Sequence, residues 1–302
     1  MNKKEYMVAE LNKLTKLLEL FQLEQIEQNI FRGVSFDLGF RALFGGQVLG
    51  QALMAANRTV EAERQAHSMH AYFLRAGDAK APIVYQVTRT RDGRSFTTRH
   101  VLAIQHGQPI FDMSVSYQTQ EDGFEHQDAM PTGIPEPETL KSFREIYGAA
   151  EDVPDYVRDQ MTRDRPVEVR PVNVIEKINP TPREALKYTW FRAAGEVPDD
   201  PRLHQAVLAY ASDFELLGTS MLPHGVSFVQ KEIQAASLDH ALWIHRPFRV
   251  DEWLLYRMNS SNMSNARGLA HGQIFSRDGR LVASVMQEGL VRRLSPDWKR
   301  NG

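Results

Sequence analysis

The stretch FGGQVLGQALMAA, residues 44–56, decides the fold of this chain, because a second stretch of the same kind recurs later. Residues 204–214 read HQAVLAYASDF and again predict an apolar helix. Strand-like sequence follows each helix, and long alternating segments come next, joined by a turn at 106–107 in one case and at 278–279 in the other. A repeated helix with antiparallel strands predicts two similar units in one polypeptide.

The helix predicted over 44–56 is apolar on nearly every side, so we expect it to be buried rather than amphipathic. Its glycines, Gly45, Gly46 and Gly50, each cost about 1 kcal/mol relative to alanine inside a helix, and close packing must offset that cost. We therefore expect a sheet to wrap closely around it. The pattern predicts an α+β fold with two antiparallel sheets, each wrapped around a central helix.

Composition divides the chain into three parts. Residues 121–165 are acidic and proline-bearing, with PTGIPEPE and EDVPD among them, which predicts a linker that carries short helices. On either side we expect an N-terminal unit at 1–120 and a C-terminal unit at 166–302.

The bulk composition excludes several classes of protein. The net charge of −2 lacks the basic excess of a nucleic-acid surface, and the absence of cysteine excludes disulfides, thiolate metal sites and a cysteine nucleophile. No apolar run is long enough to span a bilayer, and the first ten residues lack the apolar core of a signal peptide. These two observations predict a cytoplasmic protein. Dinucleotide, P-loop, zinc-protease and nucleophile-elbow motifs are absent, so we expect no metal or redox cofactor.

If the two units share a fold, polar residues found in only one of them are candidates for chemistry. Pairing Gln47 with Gln205 places Ala55 opposite Asp213. Asp213 ends an apolar helix, where the helix dipole disfavours a negative charge. A lone aspartate at such a position is more often solvated than catalytic, so the pattern makes Asp213 a candidate and no more.

The strands give a second difference between the units. Aligning the glycine turns places Val115 opposite Gln287, which shares a strand face with apolar residues. A buried amide without partners costs about 1–3 kcal/mol, so Gln287 must meet a structural hydrogen bond or a site. Ser237 follows Ile233 and Ala235 on one strand face, and its pattern alone does not distinguish a structural serine from a functional one.

Several segments together carry a family resemblance, and they follow the expected order along most of the chain: FGGQVLGQAL (44–53), HSMHAYFLRAGD (67–78), RTRDGRSFTTR (89–99), GFEHQ (123–127), ASDF (211–214), SLDHALWIHRPF (237–248), EWLLY (252–256), ARGLAHGQIFSRDGRLVAS (266–284) and QEGLVR (287–292). The chain resembles the acyl-CoA thioesterase II family, which has a double hot-dog fold. The resemblance implies a catalytic set of Asp213, Ser237 and Gln287, with serine where the family more often has threonine. It also implies an acyl-CoA substrate and a homodimer or homotetramer.

The implied reaction needs no covalent nucleophile, because a thioester carbonyl is electrophilic and its thiolate leaves easily. We expect Asp213, Ser237 and Gln287 to hold a water for direct attack, with Asp213 as general base. Two alternatives remain. A hot-dog enoyl-CoA hydratase needs an aspartate and a histidine in close succession, and the nearest histidine downstream of Asp213 is His224, beyond Pro223. A non-catalytic acyl-CoA-binding protein on the same fold is the other.

Overall fold

A computed structural model of the protein describes residues 13–35 and 43–295. The ends of the two predicted units, 1–12 and 296–302, lie outside the described residues, as do residues 36–42.

The described residues of the first half form two helices and six strands. Helix α1 is described over 13–20, and its leucines Leu14 and Leu17 are buried. The remaining elements, in chain order, are β1 (Glu24–Glu27), β2 (Ile30–Gly33), α2 (Gly45–Asn57), β3 (Gln65–Phe73), β4 (Ile83–Asp92), β5 (Phe96–Gln105) and β6 (Gln108–Gln118). As the sequence predicts, α2 is buried on nearly all sides.

Residues 119–166 cross from the first half to the second and carry helices α3 (Phe143–Ala149) and α4 (Asp155–Thr162). A capping box starts α3, in which Ser142 and Glu145 satisfy each other's backbone N–H groups. The extended part of this segment binds the second half through Gln127, which donates to the carbonyl of Gly279.

The second half repeats the helix-and-sheet arrangement. Its elements are β7 (Val167–Pro171), β8 (Leu186–Ala193), α5 (Pro201–Ser212), α6 (Gly218–Met221), β9 (Ile233–Ser237), β10 (Asp239–Ile244), β11 (Leu254–Ser264), β12 (Arg267–Ser276) and β13 (Leu281–Arg293). Among the described residues, no helix is long and apolar enough to cross a membrane.

The strands form one antiparallel sheet in the order β1-β2-β4-β5-β6-β3-β10-β13-β12-β11-β8-β7, with β9 beside β13. The order to the left of β3–β10 mirrors the order to its right. The two predicted sheets are thus joined edge to edge, because β3 and β10 pair from Asp239–Tyr72 to Trp243–Ser68. The predicted α+β double hot-dog fold is confirmed, with a single continuous sheet.

Gly46 and Gly50 of α2 face the other helix, α5, whereas Gly45 lies against Asp213 and Phe73. A side chain at Gly46 would strike the backbone carbonyl of Tyr210 in α5, and one at Gly50 would lie 2.6 Å from the ring of Phe21 and 3.1 Å from the carbonyl oxygen of Ala206. The cost of these glycines therefore serves a close contact between α2 and α5. This contact sets the relative positions of the two helix ends that matter below.

Hairpin geometry supports the alignment of Val115 with Gln287. A bulge at Ile110 interrupts the pairing of β6 with β5, and a bulge at Val282 interrupts the pairing of β13 with β12. Val115 and Gln287 each lie five residues beyond their bulge. The strand alignment of the two units therefore agrees with the structure.

The helix alignment, in contrast, is wrong by two residues. Asn57 is the last of the thirteen residues of α2, and Asp213 directly follows the twelve residues of α5, so each is thirteenth from its helix start. Asn57, not Ala55, is the counterpart of Asp213. Its buried side chain accepts a hydrogen bond of 2.8 Å from the hydroxyl of Tyr117 on β6. The first unit thus has a neutral amide where the second has an acid.

Candidate active site

Asp213 caps the C-terminus of α5 at the point where the N-terminus of α2 begins. Its carboxylate accepts a hydrogen bond from the backbone N–H of Gly46 and lies against Gly45. The negative end of the α5 dipole disfavours the charge, but the positive end of α2 compensates for it. The first unit thereby completes a site in the second, and the glycines leave room for the carboxylate.

Gln287 on β13 is fully buried and reaches both of the other predicted site residues. Its Nε2 donates to Asp213 Oδ1 at 2.7 Å and to Ser237 Oγ at 3.1 Å. The amide oxygen, Oε1, has no hydrogen-bond partner among the described residues. The structure therefore brings Asp213, Ser237 and Gln287 together, although they lie on a helix end and two separate strands.

Ser237 is the last residue of β9, where it pairs with Gly289 of β13. Its hydroxyl is also within hydrogen-bonding reach of the Asp213 carboxylate. The chain then shifts from β9 to β10, and the N–H of Leu238 donates to the carbonyl of Glu288 at 3.0 Å. This break in the strand turns the Ser237 side chain toward the end of α5.

Burial raises the pKa of Asp213 above its ordinary value of 3.8, while the hydrogen bonds from Gln287, Gly46 and Ser237 oppose that rise. A raised pKa makes the carboxylate a stronger base than a free aspartate. A free aspartate is a weak base at neutral pH, and burial makes Asp213 a better one.

His240 on β10 lies behind these residues and was not identified from the sequence as part of a site. It is fully buried, with Nδ1 3.3 Å from Gln287 Nε2 and Nε2 2.9 Å from Ser212 Oγ. Burial lowers the pKa of His240 to about 3, so its ring is neutral near pH 7. The available signal was its place on the core face of a strand, two residues before the buried Leu242.

A cavity of about 620 Å³ opens beside this cluster, and Asp213, Ser237 and Gln287 form part of its wall. Its volume is in the range of cavities that bind small molecules. Both units and the segment between them line it with apolar side chains, including Phe44 and Phe73 from the first unit, Met161 from α4, and Phe214 from the second unit.

Family models match both halves of the chain. The model described as acyl-CoA thioesterase matches residues 156–290, and the one described as acyl-CoA thioesterase N-terminal domain matches residues 35–118. Acyl-CoA thioesterase 2 of Haemophilus influenzae is 45% identical over 264 residues, which cover 87% of this chain and 92% of that protein. The chain belongs to the acyl-CoA thioesterase family.

Solved structures agree with the family and with the fold. The crystal structure of the acyl-CoA thioesterase II TesB2 from Mycobacterium marinum is 44% identical, with a TM-score of 0.76 over 92% of this chain and 99% of that one. A protein of unknown function with a hot dog fold from Alicyclobacillus acidocaldarius is 18% identical, with a TM-score of 0.74 over 93% of this chain and 99% of that one, and supports the fold alone. The resemblance found in the sequence is confirmed, and this chain is an acyl-CoA thioesterase.

A buried ionic cluster lies next to the candidate site. Glu215, two residues after Asp213, binds Lys177 at 2.6 Å and Lys187 at 3.1 Å. Its φ of 65° is in the left-handed region, which a non-glycine residue adopts only when its surroundings hold it there. Burial disfavours the carboxylate, but the two lysines outweigh that effect and hold the pKa of Glu215 well below 4.5. The cluster fixes the chain reversal that follows α5.

The histidine that the hydratase alternative would need is not at this site. His224 is exposed at the end of a short 3₁₀ turn (Leu222–His224) and is not among the residues that line the cavity. His240 is close to Asp213, but Gln287 lies between them and both ring nitrogens of His240 already have protein partners. Neither histidine is arranged to act on a substrate together with Asp213.

Proposed function

We propose that this enzyme hydrolyses fatty acyl-CoA to a free fatty acid and CoA by direct attack of a water held by Asp213, Ser237 and Gln287. The observation that carries the proposal is the single amide nitrogen of Gln287, which bonds both Asp213 and Ser237 at the wall of the cavity. These residues are the polar groups that the sequence predicts for the second unit only.

The roles follow from the chemistry of each group. The Asp213 carboxylate accepts a proton from the water as its oxygen attacks the thioester carbon. The Ser237 hydroxyl and the Gln287 amide orient the water toward the thioester carbon. Such positioning can supply much of the rate enhancement of an enzyme. The tetrahedral intermediate then collapses, the C–S bond breaks, and the proton passes to the departing thiolate.

The position of α2 suggests where the donor to the developing oxyanion lies. The helix N-terminus that meets Asp213 belongs to α2 of the first unit. Backbone N–H groups there are oriented to stabilise developing negative charge. We place the thioester carbonyl at this helix end and the acyl chain among the phenylalanines of the cavity.

The hydroxyl of Ser237 is the feature to vary. Ser237→Ala removes one hydrogen bond to a charged group, and we expect kcat to fall about tenfold. Ser237→Thr keeps the hydroxyl and should retain most of the activity. Thiol release from palmitoyl-CoA measures both, and an alanine variant as active as the wild type would leave Ser237 with a packing role only.

We expect one active site per chain. Val115 and Asn57 stand in the first unit where Gln287 and Asp213 stand in the second, and they supply neither a matched donor nor a base. Titration with a non-hydrolysable acyl-CoA thioether should saturate at one ligand per chain. Gln287→Ala should lower turnover more than about tenfold rather than by half, because it removes an orienting donor.

The matched control for Gln287→Ala is Val115→Ala at the equivalent position of the first unit. It should leave turnover per folded molecule unchanged. Two equivalent ligands per chain, or half the activity remaining in Gln287→Ala, would mean that the first unit also catalyses.

We further propose that the protein is cytoplasmic, as its composition suggests, and that it is a homodimer or homotetramer, as the resemblance implies. The molar mass from light scattering, compared with 34.5 kDa for one chain, and cell fractionation test the two parts of this proposal.

A further inference from the structure

Behind the predicted catalytic trio runs a chain of buried hydrogen bonds that ends on the backbone of α5. Gln287 Nε2 meets His240 Nδ1 at 3.3 Å, His240 Nε2 meets Ser212 Oγ at 2.9 Å, and Ser212 Oγ donates to the carbonyl of Ala209 at 3.0 Å. His240, Ser212 and Gln287 are all essentially inaccessible to solvent. Every step of this chain lies within the protein.

The backbone carbonyl fixes the direction of each bond. A hydroxyl has one hydrogen, and Ser212 donates it to Ala209, so Ser212 Oγ must accept from His240 Nε2. A neutral imidazole that carries its proton on Nε2 has an unprotonated Nδ1, which can only accept. Nδ1 therefore takes a hydrogen from Gln287 Nε2.

This direction locks the amide of Gln287. A flipped amide would turn Oε1 toward the Asp213 carboxylate and toward the lone pair of His240 Nδ1, two groups that both need a donor. In the observed orientation the two hydrogens of Nε2 go to these two acceptors, and Ser237 Oγ, 3.1 Å from Nε2, shares one of them. His240 thus excludes the orientation of Gln287 that would leave Asp213 without its donor.

The repeat shows that this series of hydrogen bonds occurs in the second unit only. In the first unit, Met69 of β3 pairs with Val115 of β6. In the second unit, Ala241 of β10 pairs with Met286 of β13, so the neighbouring His240 stands opposite Gln287. Met69 is therefore the counterpart of His240, as Val115 is of Gln287. A methionine suffices for packing at this position of the fold, so packing alone does not account for the histidine.

We propose that His240 is a positioning residue for the thioesterase reaction, which with Ser212 holds the Gln287 carboxamide so that its nitrogen faces Asp213 and Ser237. The proposal rests on the role proposed above for Gln287. It assigns to His240 no contact with the substrate and no proton transfer.

The first test replaces His240 by the residue that occupies the same place in the other unit. His240→Met keeps a buried apolar side chain there, and we expect kcat to fall about tenfold with KM unchanged, because a misplaced orienting group costs rate rather than binding. His240→Asn retains an acceptor where Nδ1 stands and should keep most of the activity. His240→Gln places its polar atoms toward Ser212 instead and should behave like His240→Met.

The second readout is the acidic limb of the pH profile of kcat/KM. The hydrogen bond from Gln287 lowers the pKa of Asp213 against the effect of burial, so loss of that bond should move the limb to higher pH in His240→Met but not in His240→Asn. The charged neighbour Glu215 stays ionised over the acidic limb, because Lys177 and Lys187 hold its pKa well below 4.5. The nearest uncharged groups do not titrate there either. Burial raises the pKa of Tyr210 and Tyr256 and lowers that of His240, so all three stay neutral over the assay range.

Wild-type kcat and an unmoved acidic limb in folded His240→Met would overturn the proposal. An equal loss in the methionine, glutamine and asparagine variants with no shift of the limb would also overturn it, since it would indicate a packing role. If His240→Met does not fold, the contrast between His240→Asn and His240→Gln decides. Failure of the proposed function itself is separate, because it would appear as full activity of an Asp213 variant.

Discussion

Replacing Asp213 by asparagine should lower kcat at least about 10²-fold while leaving the fold intact. Asparagine keeps the shape of the side chain and an oxygen for the N–H groups of Gly46 and Gln287, but it cannot accept a proton from water. It also removes the charge that the N-terminus of α2 stabilises. Thiol release from palmitoyl-CoA, compared with the circular dichroism of the same sample, separates lost chemistry from lost structure.

The matched control is Asp251→Asn, the same change at another partly buried carboxylate. Asp251 accepts from the backbone N–H of Val197 at 2.9 Å and binds Arg249 at 2.9 Å, and it is not among the cavity-lining residues. This variant should keep kcat near the wild-type value. Near-wild-type turnover of a folded Asp213→Asn enzyme would refute the mechanism.

Glu215→Gln should destabilise the enzyme by about 3–5 kcal/mol, because it leaves Lys177 and Lys187 as buried cations without a counter-charge. Glutamine carries the same backbone strain at a φ of 65°, so the difference isolates the charge. Burial lowers the pKa of Lys187 even with Glu215 present, which shows how costly its ammonium group is in this place. The midpoint of urea unfolding at constant protein concentration measures the effect.

The sign of the pH dependence follows from the lowered pKa of Glu215. The stabilisation is present above pH 4.5, the ordinary pKa of a glutamate, and is lost as the pH falls below it toward the folded-state pKa. The stability of Glu215→Gln should therefore approach that of the wild type in acid.

Two further variants make the charge argument specific. Glu138→Gln breaks an exposed pair with Arg277 and should leave the midpoint of urea unfolding nearly unchanged. Adding Lys187→Met to Glu215→Gln removes one unpaired cation and should recover part of the lost stability. An exposed-pair variant as destabilised as Glu215→Gln, or no recovery in the double variant, would contradict this account.

The strands of this protein could be predicted from the sequence more securely than the register of its helices. Turns at 106–107 and 278–279 fix each hairpin, and a one-residue slip would move every apolar side chain to the wrong face. The alignment of Val115 with Gln287 therefore agrees with the structure. A helix has no such marker along its axis, and matching Gln47 to Gln205 gave an error of two residues that only the packed helix starts reveal.

The sequence by itself determined the repeat, the double hot-dog fold and the family, and it singled out Asp213, Ser237 and Gln287 as candidate site residues. It could do so because periodicity, turns and differences between repeats are local properties of the chain. Only the tertiary structure decided what surrounds those residues: the α2 N-terminus beside Asp213, His240 behind Gln287, and the lysines around Glu215. These contacts join residues that are distant in sequence, for example Gly46 with Asp213, and they depend on how closely α2 and α5 approach. The C-terminus of α5 alone disfavours the negative charge of Asp213, but the N-terminus of α2 from the other unit lies against it and stabilises it.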